Sequence, residues 1–79
     1  MKMEARNVYF AVCLNNEGYE VSLEVGKLYR VIPDKEAEAH GYIQVVDESG
    51  EDYAYASNRF HVVKLPVAVK NKLLAATHV

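Results

Sequence analysis

The side chains that could support metal or nucleophilic chemistry are one cysteine and three histidines: Cys13, His40, His61 and His78. No two of them have the CxxC, HxxxH or HExxH spacing that brings ligands together, and a structural zinc site needs four ligands. Cys13 lies in an alternating apolar run, which favours a small buried residue. Nothing in the sequence places a histidine beside it to activate a thiolate, and no Gly-rich or helix N-terminal anion site adjoins it. The sequence therefore predicts no metal site, no cofactor and no enzyme active site.

Carboxylates are concentrated around a short turn in the middle of the chain, at Asp47, Glu48, Glu51 and Asp52. Their spacing does not match an EF-hand loop, which needs oxygen ligands at alternate positions before its glycine. The simpler interpretation is a solvated acidic hairpin tip, and the functional alternative is a docking surface for a basic partner. The wider segment 33–52 is also acidic, because it contains seven acids and Lys35 as its one base.

Six tyrosines are many for 79 residues: Tyr9, Tyr19, Tyr29, Tyr42, Tyr53 and Tyr55. With arginines nearby they could stack on bases, as aromatic side chains do in single-strand binding proteins. The simpler interpretation is that tyrosine replaces the absent tryptophan in the core and at its rim. A net charge of −2 and the acidic middle segment argue against a nucleic-acid partner, which favours a clustered basic face.

Period-two alternation positions these side chains on short strands, predicted at 7–14, 28–32, 42–47, 53–56 and 60–65. The alternation also resumes over 19–25, until Gly26 breaks it. Residues 28–32 are apolar on both faces except at Arg30, which is typical of a central strand. Gly50 is free to take a positive φ in the turn of a hairpin. Residues 35–40 predict a loop with one helical turn, since the segment is too short for a stable helix.

A helix is predicted over about 66–76, because Pro66 suits a first helical position and a weak apolar stripe follows it. Two roles are open for this helix. It could cap the open end of a barrel formed by the strands, which is the simpler role, or it could pair with the same helix of a second copy in a homodimer. The five short strands most economically close into a small barrel of about 7–65, within one domain spanning 1–79.

The expected compartment is the cytoplasm. A single cysteine fits a reducing environment, and no apolar run approaches the roughly 20 residues of a membrane span. The segment before the first predicted strand has charges but no apolar core, which argues against a signal peptide. We therefore expect no association with a membrane.

The run EVSLEVGK at 20–27 resembles the Src-homology-3 signature in which an acid, an apolar residue, Ser and an apolar residue precede a Gly-Asp step. Gly41-Tyr42-Ile43 resembles the strand of that family that begins with paired tryptophans. The segment ASNRF at 56–60 is similar to the Pro-Ser-Asn-Tyr-Val segment that forms a 3-10 turn before the last strand. The run DESGEDY also resembles small bacterial proteins of this type. The resemblance covers 8–65 and implies a mainly β, five-stranded Src-homology-3-like barrel with a short 3-10 turn.

The departures from the family pattern affect the expected ligand. By position, the two groove tyrosines of the first strand become Ala11 and Cys13, and the groove tryptophan becomes Tyr42. The groove proline becomes Ala56, and the remaining groove tyrosine becomes Arg59. The family's polyproline II groove needs those aromatic rings and that proline. The resemblance therefore implies a barrel without a site for proline-rich peptides.

Together these patterns predict a non-enzymatic protein-interaction module whose partner the sequence does not identify. A small barrel that binds nucleic acid by tyrosine stacking is the alternative. The expected contact residues are Tyr42, Tyr53, Arg59 and the four acids of the turn, Asp47, Glu48, Glu51 and Asp52.

Overall fold

A computed structural model of the chain describes residues 8–76, whose strands form one five-stranded antiparallel sheet. The elements in chain order are β1 (Tyr9–Cys13), β2 (Leu28–Ile32), α1 (Lys35–Ala39), β3 (Tyr42–Val46), β4 (Asp52–Ala56), a 3-10 turn (Ser57–Arg59), β5 (Phe60–Val63) and α2 (Val67–Ala76). The predictions of a mainly β chain, of the 3-10 turn and of a C-terminal helix are confirmed.

The order of the strands in the sheet is β4-β3-β2-β1-β5. β2 is the central strand, as its apolar pattern predicts. β4 and β5 are the two edges, and no ladder joins them within the described residues. The alternation over 19–25 does not form a strand. It lies in the loop between β1 and β2, where Val21 is 93% exposed and Leu23 is 1% exposed.

The core lies on one face of the sheet, which we call the inner face. Its buried side chains, joined by Leu23 from the loop, are Ala11, Cys13, Tyr29, Val31, Ile43, Val45, Tyr55 and Phe60. The ladders explain this grouping, since Ala11 pairs with Tyr29 and Cys13 pairs with Phe60. The positions inferred as groove residues from the family pattern, Ala11 and Cys13, are therefore core residues with no exposed surface.

The two helices differ in how the sequence fixes them. α1 begins after Asp34, whose carboxylate accepts a hydrogen bond from the Ala37 amide at 3.1 Å, as an N-cap does. α2 follows Pro66 and leaves Val67 72% and Val69 43% exposed. These valines provide the apolar surface that a homodimer through α2 would use, and that homodimer stays a prediction. Among residues 8–76, the structure has no helix with the length and apolarity needed to span a membrane.

Candidate functional site

Asp47, expected at a solvated tip, is instead buried at 6% exposure. The prediction was wrong because the alternation of β3 continues past its end: Ile43, Val45 and Asp47 all face inward. The carboxylate accepts a hydrogen bond from the Tyr55 hydroxyl at 2.7 Å. It also accepts bonds from the Ser49 amide at 2.9 Å and the Ser49 hydroxyl at 2.6 Å. Asp47 is thus the polar centre of the β3–β4 turn.

The hydrogen bonds determine the charge state of this buried pair. Burial alone would raise the pKa of the Asp47 carboxyl, but the bonds from Ser49 and Tyr55 outweigh it and hold the pKa below its usual value. Burial and the bond to Asp47 raise the pKa of the Tyr55 phenol to about 12. At neutral pH the pair is therefore a carboxylate that accepts from a protonated phenol.

Glu48 joins the turn to the loop formed by residues 14–27, which we call the long loop. Its Oε2 atom accepts from the Tyr29 hydroxyl and from Lys27 Nζ, each at 2.6 Å. Its amide donates to the Ser22 carbonyl at 3.0 Å. The bonds from Lys27 and Tyr29 lower the pKa of the Glu48 carboxyl. Glu48 is therefore a structural contact between two segments rather than a free docking charge.

The long loop is held at further points by groups that face the core. The Tyr29 hydroxyl accepts a bond from the Glu24 amide at 2.7 Å, and Asn16 Nδ2 donates to the Leu23 carbonyl at 2.9 Å. Burial of Leu23 adds about 1.5–3 kcal/mol to the attachment. These contacts give the loop a defined conformation, and so they fix the side chain that it presents at the surface, Tyr19.

Tyr19 and Arg59 form a stacked pair at one end of the sheet. The Arg59 guanidinium carbon lies 4.7 Å from the centroid of the Tyr19 ring, which is a cation–π arrangement. Arg59 Nη1 donates to the Asn15 carbonyl at 3.2 Å and lies 3.4 Å from the side-chain oxygen of Asn15. The Tyr19 ring and the buried Tyr55 ring pack edge to face, with their centroids 5.0 Å apart. The guanidinium is thus held between the long loop and the 3-10 turn.

Tyr42 lies at the same end of the sheet and is 46% exposed. The ladder pairs it with Ala56, which immediately precedes the 3-10 turn that includes Arg59. No described hydrogen bond involves its hydroxyl. We call Tyr19, Tyr42 and Arg59 together the tyrosine–arginine surface.

The other predicted contact residues lie elsewhere. Three of them, Tyr53, Glu51 and Asp52, are exposed near the turn. Tyr53 pairs with Val45 and Asp52 pairs with Val46, so they lie three and four residues along β3 from Tyr42, or about 10 and 13 Å at strand spacing. The Tyr53 hydroxyl donates to Glu51 at 3.0 Å, and Asp52 accepts from the Gln44 amide at 3.0 Å. The register also places Tyr53 and Tyr42 on opposite faces of the sheet. The seven predicted residues therefore do not form one surface.

Tyr19 was not among the predicted contact residues. Its stacking partner lies 40 positions later in the chain, and no local pattern links the two. The inward position of Asp47 had a detectable signal, because extending the β3 alternation by two residues beyond Val45 places it beside the core.

The candidate metal and nucleophilic residues are not brought together. Cys13 is fully buried, as expected, and burial raises the pKa of its thiol. His40 and His61 are exposed, and His78 lies outside the described residues. Across residues 8–76 the structure contains no group of three or more His, Cys, Asp or Glu side chains that could hold a metal ion.

Comparisons of the chain with protein-family models, with curated proteins and with solved structures find no match.

Proposed function

We propose that this chain is a non-enzymatic protein-interaction module built on a Src-homology-3-like barrel, and that it binds its partner through the tyrosine–arginine surface. In this proposal a partner segment crosses the end of the sheet, with a carbonyl or carboxylate oxygen on Arg59 and separate apolar side chains against Tyr19 and Tyr42. Proline-rich peptides are not the ligand, because Ala56 and Arg59 replace the proline and tyrosine that the family's groove requires.

The observation that best supports this proposal is the fixed position of the Arg59 guanidinium. Stacking on Tyr19 and bonding to Asn15 restrict its motion, so less side-chain entropy is lost when a partner binds. Only Nη1 has a described hydrogen-bond partner, which leaves Nε and Nη2 available as donors toward a ligand. Tyrosine and arginine are also the residue types enriched among interface hot spots.

The barrel itself is supported by the sequence of elements along the chain. Five antiparallel strands occur in the order that the resemblance implies, and the 3-10 turn Ser57–Arg59 directly precedes β5. The long loop between β1 and β2 is ordered by the core, which suits it to present a recognition side chain.

The test is a partner capture that depends on the surface. A photo-crosslinking residue would replace Ser57, in the 3-10 turn, in four proteins. These are the otherwise unmodified chain, Arg59→Ala, Tyr42→Ala and the control Lys35→Ala, whose lysine is exposed on α1. The host proteins that each one captures would then be compared. We expect one host protein to be captured by the unmodified chain and the control and lost from both surface variants. Tyr42→Ala removes no described side-chain hydrogen bond, so it separates a contact role from a folding defect.

Two outcomes would contradict the proposal. One is a captured protein that all three variants retain equally while their circular dichroism is unchanged. The other is the absence of any captured protein that distinguishes Arg59→Ala from Lys35→Ala.

The nucleic-acid alternative has less support from the geometry. Tyr29 and Tyr55 are buried in the core, and Tyr42 and Tyr53 face opposite sides of the sheet, so successive bases would not meet a continuous row of rings. Lys27, which adjoins the turn, is neutralised by Glu48. Salt-dependent binding to single-stranded RNA in a gel-shift assay would favour this alternative over the protein partner.

A further inference from the structure

The outer face of the sheet has a cleft of about 800 Å³ beside α2. Its walls include Phe10 of β1, Leu28 and Arg30 of β2, Val46 of β3 and Leu74 of α2, and the turn at Asp47–Gly50 closes one end. The register explains why these strand residues meet, since Phe10 pairs with Arg30 and Leu28 pairs with Val12 on the same face. The volume falls within the range of small-molecule sites, roughly 300–1,000 Å³. We call this space the outer cleft.

One charge lining the outer cleft has no counterpart within the described chain. Lys27 is paired with Glu48 at 2.6 Å, and the Asp47 carboxylate accepts from Tyr55 and Ser49. The guanidinium of Arg30, by contrast, makes no hydrogen bond or salt bridge to any of residues 8–76, although Arg30 is partly buried. A partly buried guanidinium without an anion gains more from a carboxylate than a solvated one does, because local screening is weaker.

The surroundings of Arg30 specify the remainder of the ligand. Phe10 is 3% exposed, and Leu28 and Val46 flank the same position with apolar side chains. Phe10 is already buried at this position, but an inorganic anion would leave Leu28, which is 36% exposed, and the partly buried Val46 in contact with water. A ligand with an apolar body would cover Leu28 and Val46 while its head group pairs with Arg30.

We propose that the outer cleft binds a small amphipathic carboxylate, with the carboxylate on Arg30 and the apolar body between Phe10, Val46 and Leu74. The planar guanidinium suits a bidentate pair with a carboxylate. This site is separate from the tyrosine–arginine surface, so either proposal can fail without the other.

The test is a titration of the full chain with sodium octanoate, followed by amide chemical shifts. We expect saturable shifts at Phe10, Leu28, Arg30 and Val46. The variant Arg30→Gln should weaken binding at least tenfold, while Lys35→Gln should leave it unchanged, since a hydrogen bond to a charged group corresponds to roughly a tenfold or larger change. Arg30→Lys should fall between them, because lysine keeps the charge and loses the planar fork. Circular dichroism of each variant checks that the fold is kept.

Three comparison ligands decide the chemistry. Octanol lacks the charge and inorganic phosphate lacks the apolar body, so both should bind at least tenfold more weakly than octanoate. A short peptide with alternating Leu and Glu tests a macromolecular occupant, and tighter binding of that peptide at the same amides would overturn the small-molecule assignment. Three outcomes would overturn the proposal as a whole. They are octanoate shifts that do not saturate, octanol binding as tight as that of octanoate, and octanoate binding that Arg30→Gln leaves unchanged in a folded protein.

Discussion

Replacing Asp47 by alanine should destabilise this protein far more than replacing any other acid of the β3–β4 turn. Asp47 is 6% exposed, and its carboxylate accepts three hydrogen bonds, from Tyr55 and Ser49. A hydrogen bond to a charged group contributes about 1.5–3 kcal/mol. The buried Tyr55 hydroxyl would lose the carboxylate that accepts its hydrogen bond, whereas the Ser49 groups lie at the turn and can bond to water.

The expected loss of unfolding free energy is therefore about 3–5 kcal/mol. A domain of this length has a total stability of about 4–12 kcal/mol, so the variant should be marginal at room temperature. Since each kcal/mol lowers the melting temperature by about 4–8 °C, the melting temperature should fall by about 12 °C or more. Urea unfolding followed by circular dichroism measures the free energy, and a scan of the same samples measures the melting temperature.

The matched control is Asp52→Ala. Asp52 is exposed in the same hairpin, and its one described hydrogen bond comes from the Gln44 side chain. A surface substitution of this kind changes stability by about 0.5 kcal/mol or less. Similar losses for the two variants would show that Asp47 behaves as a solvated acid.

A double-mutant cycle with Tyr55→Phe isolates the buried bond. The phenylalanine ring keeps the edge contact with Tyr19 at 5.0 Å and the tilted contact with Phe60 at 6.1 Å, and only the hydroxyl is lost. We expect a coupling free energy of about 1.5–3 kcal/mol between the two substitutions. Additive losses would refute the hydrogen bond as the cause of the stabilisation.

Two further predictions concern pH and ligand class. In the folded state the pKa values of Asp47 and Glu48 are lowered from their ordinary values of 3.8 and 4.5. Below about pH 5 the unfolded chain therefore binds more protons than the folded chain does. The free energy of unfolding should consequently decrease as the pH falls below that value. Urea midpoints between pH 3 and 7 measure this, and a double variant Asp47→Asn, Glu48→Gln whose midpoints fall as steeply would contradict it. Titration with a PxxP peptide should give no saturable amide shifts, and specific shifts at Tyr42 and Arg59 would show that a proline-rich ligand still binds.

Local sequence patterns predicted the strands and their order along the chain, because short strands, tight turns and the central position of β2 are each encoded within a few consecutive residues. The apolar run 28–32 identified the central strand of the sheet, and Gly50 does take φ +86° at the turn. A strand-like alternation also occurs over 19–25 without forming a strand. There it is overridden by the burial of Leu23 in the core and by the bond from the Glu48 amide to the Ser22 carbonyl, which join the loop to distant parts of the chain.

The candidate site was less predictable because it depends on pairs that are far apart in sequence. Arg59 was identified as a contact residue, but its stacking on Tyr19 exists only once the long loop lies against the 3-10 turn. Asp47 shows the opposite error. Its charge suggested a surface role, although the strand period already placed it on the inner face beside Tyr55.

The buried acid and the proposed binding surface are physically connected. Asp47 accepts a hydrogen bond from Tyr55, the Tyr55 ring packs edge to face with the Tyr19 ring, and Tyr19 stacks on Arg59. Glu48 fastens the same loop through Ser22 and Lys27. Asp47 and Glu48 therefore hold the long loop against the sheet. Under the proposed function, this places Tyr19 and Arg59 in position before a partner binds. A partner that binds through this surface should consequently lose affinity when Asp47 is replaced, even though Asp47 itself is too deeply buried to touch it.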